Sequence, residues 1–300
     1  MQKEISHSPS SKKRFIAIVL LIITTILWGT TFIITKTVVK DIPVFLYLGL
    51  RFSIALLGFS PYYIRLNKID KKILVMGTIS GLLYFVAIAT QTIGLTTTSA
   101  GKAGFITGLN TIMVPFLAYV MFKQSFKKRV WLAALLSIIG LAFLFLEGES
   151  GVIIGDIWVL ICAVFCALFI IYNDKYVSLA NVYLYSIVQL FVISLSCFIF
   201  SFILQESYDL LHSDPMFWII ILYMGLAVTT FTFLFQNWSQ QHVNPAKTAI
   251  IFALEPVFAL LFSFLLGNET LSITALIGCA FIFIAIIITV IKNKDQKANK

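Results

Sequence analysis

The stretch SAGKAGFITGLNTIMVPFLAYVMFKQSF, Ser99 to Phe126, lies without gaps on NPAKTAIIFALEPVFALLFSFLLGNETL, Asn244 to Leu271. In that overlay Lys102 meets Lys247, Leu109 meets Leu254, Asn110 meets Glu255, and Lys123-Gln124 meets Asn268-Glu269. Identity is sparse, and apolar composition alone accounts for part of it. The matched lysine carries the information, because a charge inside such a run costs on the order of 3 kcal/mol to place in a bilayer. Each stretch is followed by one further apolar run, so the overlay is the tail of a longer repeat.

Working outward, a helix that crosses a hydrocarbon core of about 30 Å needs roughly 20 mostly apolar residues. Ten runs meet that requirement: Phe15 to Lys36, Val44 to Arg65, Ile73 to Ile93, Ser99 to Phe122, Val130 to Leu146, Gly155 to Tyr172, Val182 to Leu204, Met216 to Gln236, Pro245 to Leu266 and Ile273 to Ile291. The expected fold is an all-α polytopic membrane protein of two five-helix repeats, at 15–148 and 152–291, between short tails at 1–14 and 292–300. Five spans are an odd number, so the second repeat starts from the opposite side of the membrane and is inverted. Lys102 then enters its helix from outside and Lys247 from the cytoplasm. Inverted repeats place a substrate site at their interface near the midplane, which rocking exposes to each side in turn.

Composition agrees. Of 300 residues 60% are hydrophobic and 12% charged, and the mean hydropathy is +0.98. A soluble domain carries roughly 25% charged residues to cover its surface. The net charge of +9 would raise the question of a nucleic-acid partner in a soluble chain. Here its distribution answers the question. Seventeen basic residues fall in the two tails and in the loops around Arg65–Lys72, Lys123–Arg129 and Lys175, whereas the opposite side has Lys36 and Lys40. The positive-inside rule therefore puts both termini in the cytoplasm of a multi-pass protein of the cell membrane, and no nucleic acid is needed to explain the charge. Acidic residues Glu147, Glu149, Asp156, Glu206, Asp209, Asp214 and Glu269 collect on the outer side. The first run follows Lys12, Lys13 and Arg14 but is too long for a secretory signal and has no small-x-small cleavage site.

WGTTF (Trp28 to Phe32), the pair Arg51-Phe52, AGKAGFITGLN with the following Val114-Pro115, and AKTAIIFALEPVFALLFSFLLGNE (Ala246 to Glu269) resemble the EamA family of the drug/metabolite transporter superfamily. The resemblance covers nearly the whole chain as two consecutive repeats. It implies ten helices, cytoplasmic termini, a central cavity, and export or exchange of small metabolites. The family's motifs say little about substrate. One departure is Lys123-Gln124, where such proteins often carry Gly-Glu, a pair that Gly267-Asn268-Glu269 nearly reproduces in the second half.

Charges inside the membrane are the candidate functional groups: Arg51, Lys102, Lys247 and Glu255. Glu255 lies about ten residues into its run, near the midplane at 1.5 Å per residue. Pro256 removes the hydrogen bond to the carbonyl of Phe252. A proton-coupling or substrate-amine role fits Glu255, and an ion pair with Lys247 that only joins helices is the alternative. Lys247 and Glu255 are eight residues apart, as are Lys102 and Asn110, so each pair shares a helix face. Snorkelling is the alternative for both lysines. For Arg51 the alternative is satisfaction by backbone carbonyls. Trp28 and Tyr84 could line an apolar cavity wall, an ordinary packing role being the alternative. The reading thus has Lys102, Lys247, Glu255, Asn110, Trp28 and Tyr84 contacting substrate, with Glu255 coupling protons. Gln91, Gln236 and Asn237 are weaker candidates, because helix-packing hydrogen bonds explain intramembrane amides. Gly77 and Gly81, and Gly104 and Gly108, form GxxxG pairs that let helices approach closely.

No HExxH, GxSxG or Walker loop occurs, and His7, His212 and His242 lie in tails or loops, so neither an enzyme nor a metal site is indicated. The four cysteines sit in apolar runs as small core residues, with no cofactor implied. The partners are a small-molecule substrate and the lipid bilayer, and a homodimer is compatible with the sequence. A channel, or an efflux carrier for amphiphilic compounds, is the competing function.

Overall fold

A computed structural model describes residues 11–145, 152–207, 214–267 and 273–290. The tail residues 1–10 and 292–300, with their lysines, lie outside the described residues, as do Glu147, Glu149, Asp209, His212, Asn268 and Glu269. All regular structure among the described residues is helical: α1 (Ser11–Val38), α2 (Val44–Leu57), α3 (Lys71–Leu95), α4 (Ala100–Gly108), α5 (Asn110–Phe122), α6 (Lys128–Phe145), α7 (Ile154–Tyr176), α8 (Val182–Ile203), α9 (Pro215–Leu222), α10 (Phe231–Gln240), α11 (Pro245–Phe252), α12 (Glu255–Gly267) and α13 (Ile273–Val290). Among the described residues seven helical stretches are long and apolar enough to cross a membrane by themselves, and eight if one bent pair counts as a single span. Large apolar side chains such as Leu160, Phe198, Phe202 and Ile219 are exposed along them, as lipid-facing surface requires.

The helix starts follow from short polar residues that satisfy otherwise orphaned N–H groups. Asp70 accepts from the Ile73 amide at 2.7 Å and Asp214 from Met216 at 2.9 Å. Ser99 accepts from the Lys102 amide at 3.3 Å, and Asn244 from the Lys247 amide at 2.9 Å. These last two caps occupy matched positions in the sequence overlay. The start of α2 follows Pro43 and has no cap of its own. Glu206, just beyond α8, supplies one across space, its two carboxylate oxygens accepting from Phe45 and Leu46 at 3.2 and 2.8 Å.

Three of the expected runs are interrupted. The second ends as an α-helix at Leu57, and a 3-10 segment, Ser60–Lys68, turns away by 83°. Pro61 and the polar residues after it cannot continue an apolar helix, so Val44 to Arg65 is not one straight rod. The fourth run breaks at Leu109 and the ninth at Ala253-Leu254. Those breaks fall at matched positions of the overlay. The eighth run is continuous but contains a π-helical segment, Tyr223–Thr230, in which the Thr229 and Thr230 hydroxyls donate to carbonyls five residues back, Met224 at 2.7 Å and Gly225 at 3.1 Å.

Packing is organised in exchangeable pairs. Helix α6 lies along α13, and α2 along α8. Helix α3 packs on α7 and α8, while α10 and the π segment pack on α1 and α2. At the centre α4 meets α12 and α5 meets α11, so the two broken helices run antiparallel past each other. The GxxxG glycines serve these contacts. A Cβ on Gly77 would stand 2.7 Å from Val188 Cγ1, and one on Gly81 would stand 3.0 Å from the Gln189 carbonyl, so both admit α8 against α3. Gly104 faces Pro256 of α12, and Gly108 faces Leu141 of α6. The third and fourth runs therefore spend their glycines on partners distant in sequence.

Candidate functional site

The breaks in the fourth and ninth runs flank an interior cavity with about 40 Å³ of space for the centres of water-sized molecules. Its apolar wall includes Trp28 of α1, Tyr84 of α3, Phe169 of α7 and Phe252 of α11. The Trp28 and Phe252 rings are 4.8 Å apart, as are those of Tyr84 and Phe169, which fixes both pairs. Its polar groups include Arg51, Gln91, Thr31, Thr107, Asn110, Gln236 and Glu255.

Each polar group is positioned differently. Arg51 is 3% exposed, and its Nε donates to the Thr229 hydroxyl at 2.9 Å. Thr229 can face Arg51 because the π segment places it there, so the partner is a side chain instead of the backbone carbonyls expected from sequence. Gln91 donates to the Thr107 hydroxyl at 3.2 Å. Asn110 opens α5, and its buried Oδ1 has no hydrogen-bond partner among the described residues. Glu255 opens α12 and is half-buried at the cavity edge. No ion pair joins Glu255 to Lys247 among the described residues.

The two matched lysines are outside this cavity. Lys102 is 6% exposed and pairs with Asp156 at the start of α7, Nζ to Oδ2 at 2.5 Å. Asp156 also accepts from the Thr98 hydroxyl at 2.5 Å and the Ile153 amide at 2.9 Å. The Thr98 carbonyl in turn accepts from Lys36 Nζ at 2.8 Å. Asp156, which sequence reasoning grouped with the acids of the outer side, is thus a buried partner of Lys102. Lys247 is 4% exposed, and the charges near enough to act on it are Arg14 and Arg129. So Trp28, Tyr84, Asn110 and Glu255 are brought together, whereas Lys102 and Lys247 mark two separate positions away from them.

Asn237, read from the sequence as an amide explained by helix-packing hydrogen bonds, belongs to a polar network beside the cavity whose other members that reading missed. Asn173 donates to Asn237 at 2.8 Å and to Gln240 at 2.6 Å; Gln189 donates to Ser80 at 2.7 Å; Asn237 donates to Ser186 and to Gln189, each at 2.7 Å. The set ties α3, α7, α8 and α10 together. Asn173-Asp174-Lys175 reads as the start of a loop, but α7 continues to Tyr176 and buries Asn173. Cys162 is a buried core residue, as read from the sequence, and both it and the half-buried Cys166 also border the cavity.

An all-helical membrane protein with an interior cavity that presents both a cation and an acid is a membrane transporter in class. The EamA-like transporter family model matches residues 15–146 and 153–291, and the chain belongs to that family. An uncharacterized transporter of Archaeoglobus fulgidus is 31% identical over 92% of this chain and 86% of its own length. The uncharacterized transporter YoaV of Bacillus subtilis is 23% identical over 87% of this chain and 92% of its own. A solved crystal structure superposes with a TM-score of 0.77 at 16% identity, covering 95% of this chain and 99% of the other.

Proposed function

We propose that this protein is a secondary transporter of ten spans, built as two inverted five-helix repeats with both termini in the cytoplasm of the cell membrane. It moves a small metabolite, an amino acid or derivative or an organic acid, by alternating access. The observation that carries the reading is the cavity between matched helix breaks, holding Arg51 and Glu255 against an aromatic wall. The exchangeable packing pairs, and the antiparallel crossing of the two broken helices, support the inversion.

In this reading Arg51 attracts an acidic group of the substrate. Asn110 Oδ1, buried without a partner among the described residues, is the acceptor a substrate donor would satisfy. Trp28, Tyr84 and Phe252 cover the apolar part. Glu255 exchanges a proton or binds an amine, and it is the group through which a proton gradient would be coupled. Lys102 and Lys247 contribute from the two ends of the pathway and do not hold substrate in the cavity.

Purified protein in liposomes tests this. Flux of a metabolite should saturate and be accelerated by substrate on the opposite side, and unsaturable conductance would exclude a carrier. Glu255→Gln should abolish the pH dependence of that flux; retention of the wild-type profile would remove Glu255 from proton coupling.

A further inference from the structure

The segment CAVFC in α7 spaces Cys162 and Cys166 by four residues, which puts them on one helix face about 5–6 Å apart at Cβ. Their sulfurs are 3.7 Å apart, Cys162 is 1% exposed, Cys166 is half-buried, and both border the central cavity beside Thr107 and Phe169. A cysteine used as a small hydrophobe turns its sulfur into packed side chains. Here the two sulfurs are in contact with each other, on residues that line the cavity. Cys197, inside the core on α8, and Cys279, on α13, stand apart from the pair.

We propose that Cys162 and Cys166 form a dithiol site for a soft, thiophilic centre that needs only two protein sulfurs, namely a trivalent organoarsenical. Soft thiolates select soft centres, whereas structural zinc takes four protein ligands and catalytic zinc three. Among the described residues no group of three or more His, Cys, Asp or Glu side chains could hold a metal ion. An organoarsenical brings its own third substituent, so the pair suffices. In the reaction with an arsine oxide, two As–S bonds form and the arsenic–oxygen bond breaks. The oxygen leaves as water with both thiol protons, and arsenic stays trivalent, so no oxidant or reductant is required. The fixed backbone of α7 holds both sulfurs for one centre, which favours the cyclic product over attachment to a single thiol. Because the site borders the cavity, the adduct would occupy the space assigned above to substrate, and only that consequence rests on the transport reading.

The test is intact mass spectrometry of the purified full-length protein with phenylarsine oxide, in excess glutathione to strip single-thiol adducts. One adduct per chain is expected, removed by 1,2-ethanedithiol. It should persist in the double variant C197A/C279A and fall to background in C162A and, separately, in C166A, with thermal melting used to confirm that each variant is folded. Absence of the adduct from the wild-type protein, or its persistence in folded C162A or C166A, would overturn the proposal. The readout is a mass, so it stands or falls separately from any flux measurement.

Discussion

Lys102 and Lys247 occupy the same position in the two halves, each three residues after the side chain that caps its helix, and each almost fully buried. Their surroundings differ. Lys102 is neutralised by Asp156, which is itself held by Thr98 and the Ile153 amide. Lys247 faces the like charges of Arg14 and Arg129, and no carboxylate pairs with it among the described residues. A repeat thus conserves where a charge sits along a helix without conserving what the charge does. One end of the molecule is clamped by attraction between α4 and α7, while the corresponding end between α1 and α11 is electropositive.

The largest expected effect comes from breaking the clamp. Asp156→Asn leaves the buried Lys102 ammonium without its carboxylate and should destabilise the protein by about 3–5 kcal/mol, read as a lower melting temperature in detergent. Replacing both partners, K102M/D156L, should recover most of that loss, because a buried ion pair and an apolar pair of similar volume are often nearly equivalent. Lys247→Met should be neutral or raise the melting temperature, since it removes a buried charge that, among the described residues, lies near the like charges of Arg14 and Arg129. A loss as large as that of Asp156→Asn would show that the two ends are alike after all. Thr229→Val removes the hydrogen bond to Arg51 and should cost about 1.5–3 kcal/mol, with a matching rise in the substrate concentration for half-maximal flux. The smallest effect is at Lys123, which ends α5 with φ 54° in the left-handed region where glycine is unstrained. Lys123→Gly should stabilise by about 0.5–1 kcal/mol in the same melting assay.

Helix positions were legible in outline because apolar run length is a local signal, whereas the caps at Asp70, Ser99 and Asn244 emerged only from the structure. Trp28, Tyr84, Asn110 and Glu255 stood out as polar or aromatic groups deep in apolar runs, and the cavity does collect them. What remained hidden depends on distance in sequence. Asp156 lies at the margin of its run and looks like one more surface acid until α7 is packed on α4. Asn173 looks like a loop residue until Gln189, Asn237 and Gln240 surround it. The π segment has no composition of its own to announce it, since YMGLAVTT reads as ordinary apolar helix.

That segment also sets the angular phase of everything after it. An α-helix advances about 100° per residue, and a π turn accommodates roughly one extra residue, so α10 is rotated by about that angle from where an uninterrupted helix would put it. Because of this offset Gln236 points at the cavity while Asn237 and Gln240 reach Asn173. Deleting a single residue such as Ala227 would let the helix close into α form and swing this whole amide edge about a quarter-turn away, a frameshift written in three dimensions.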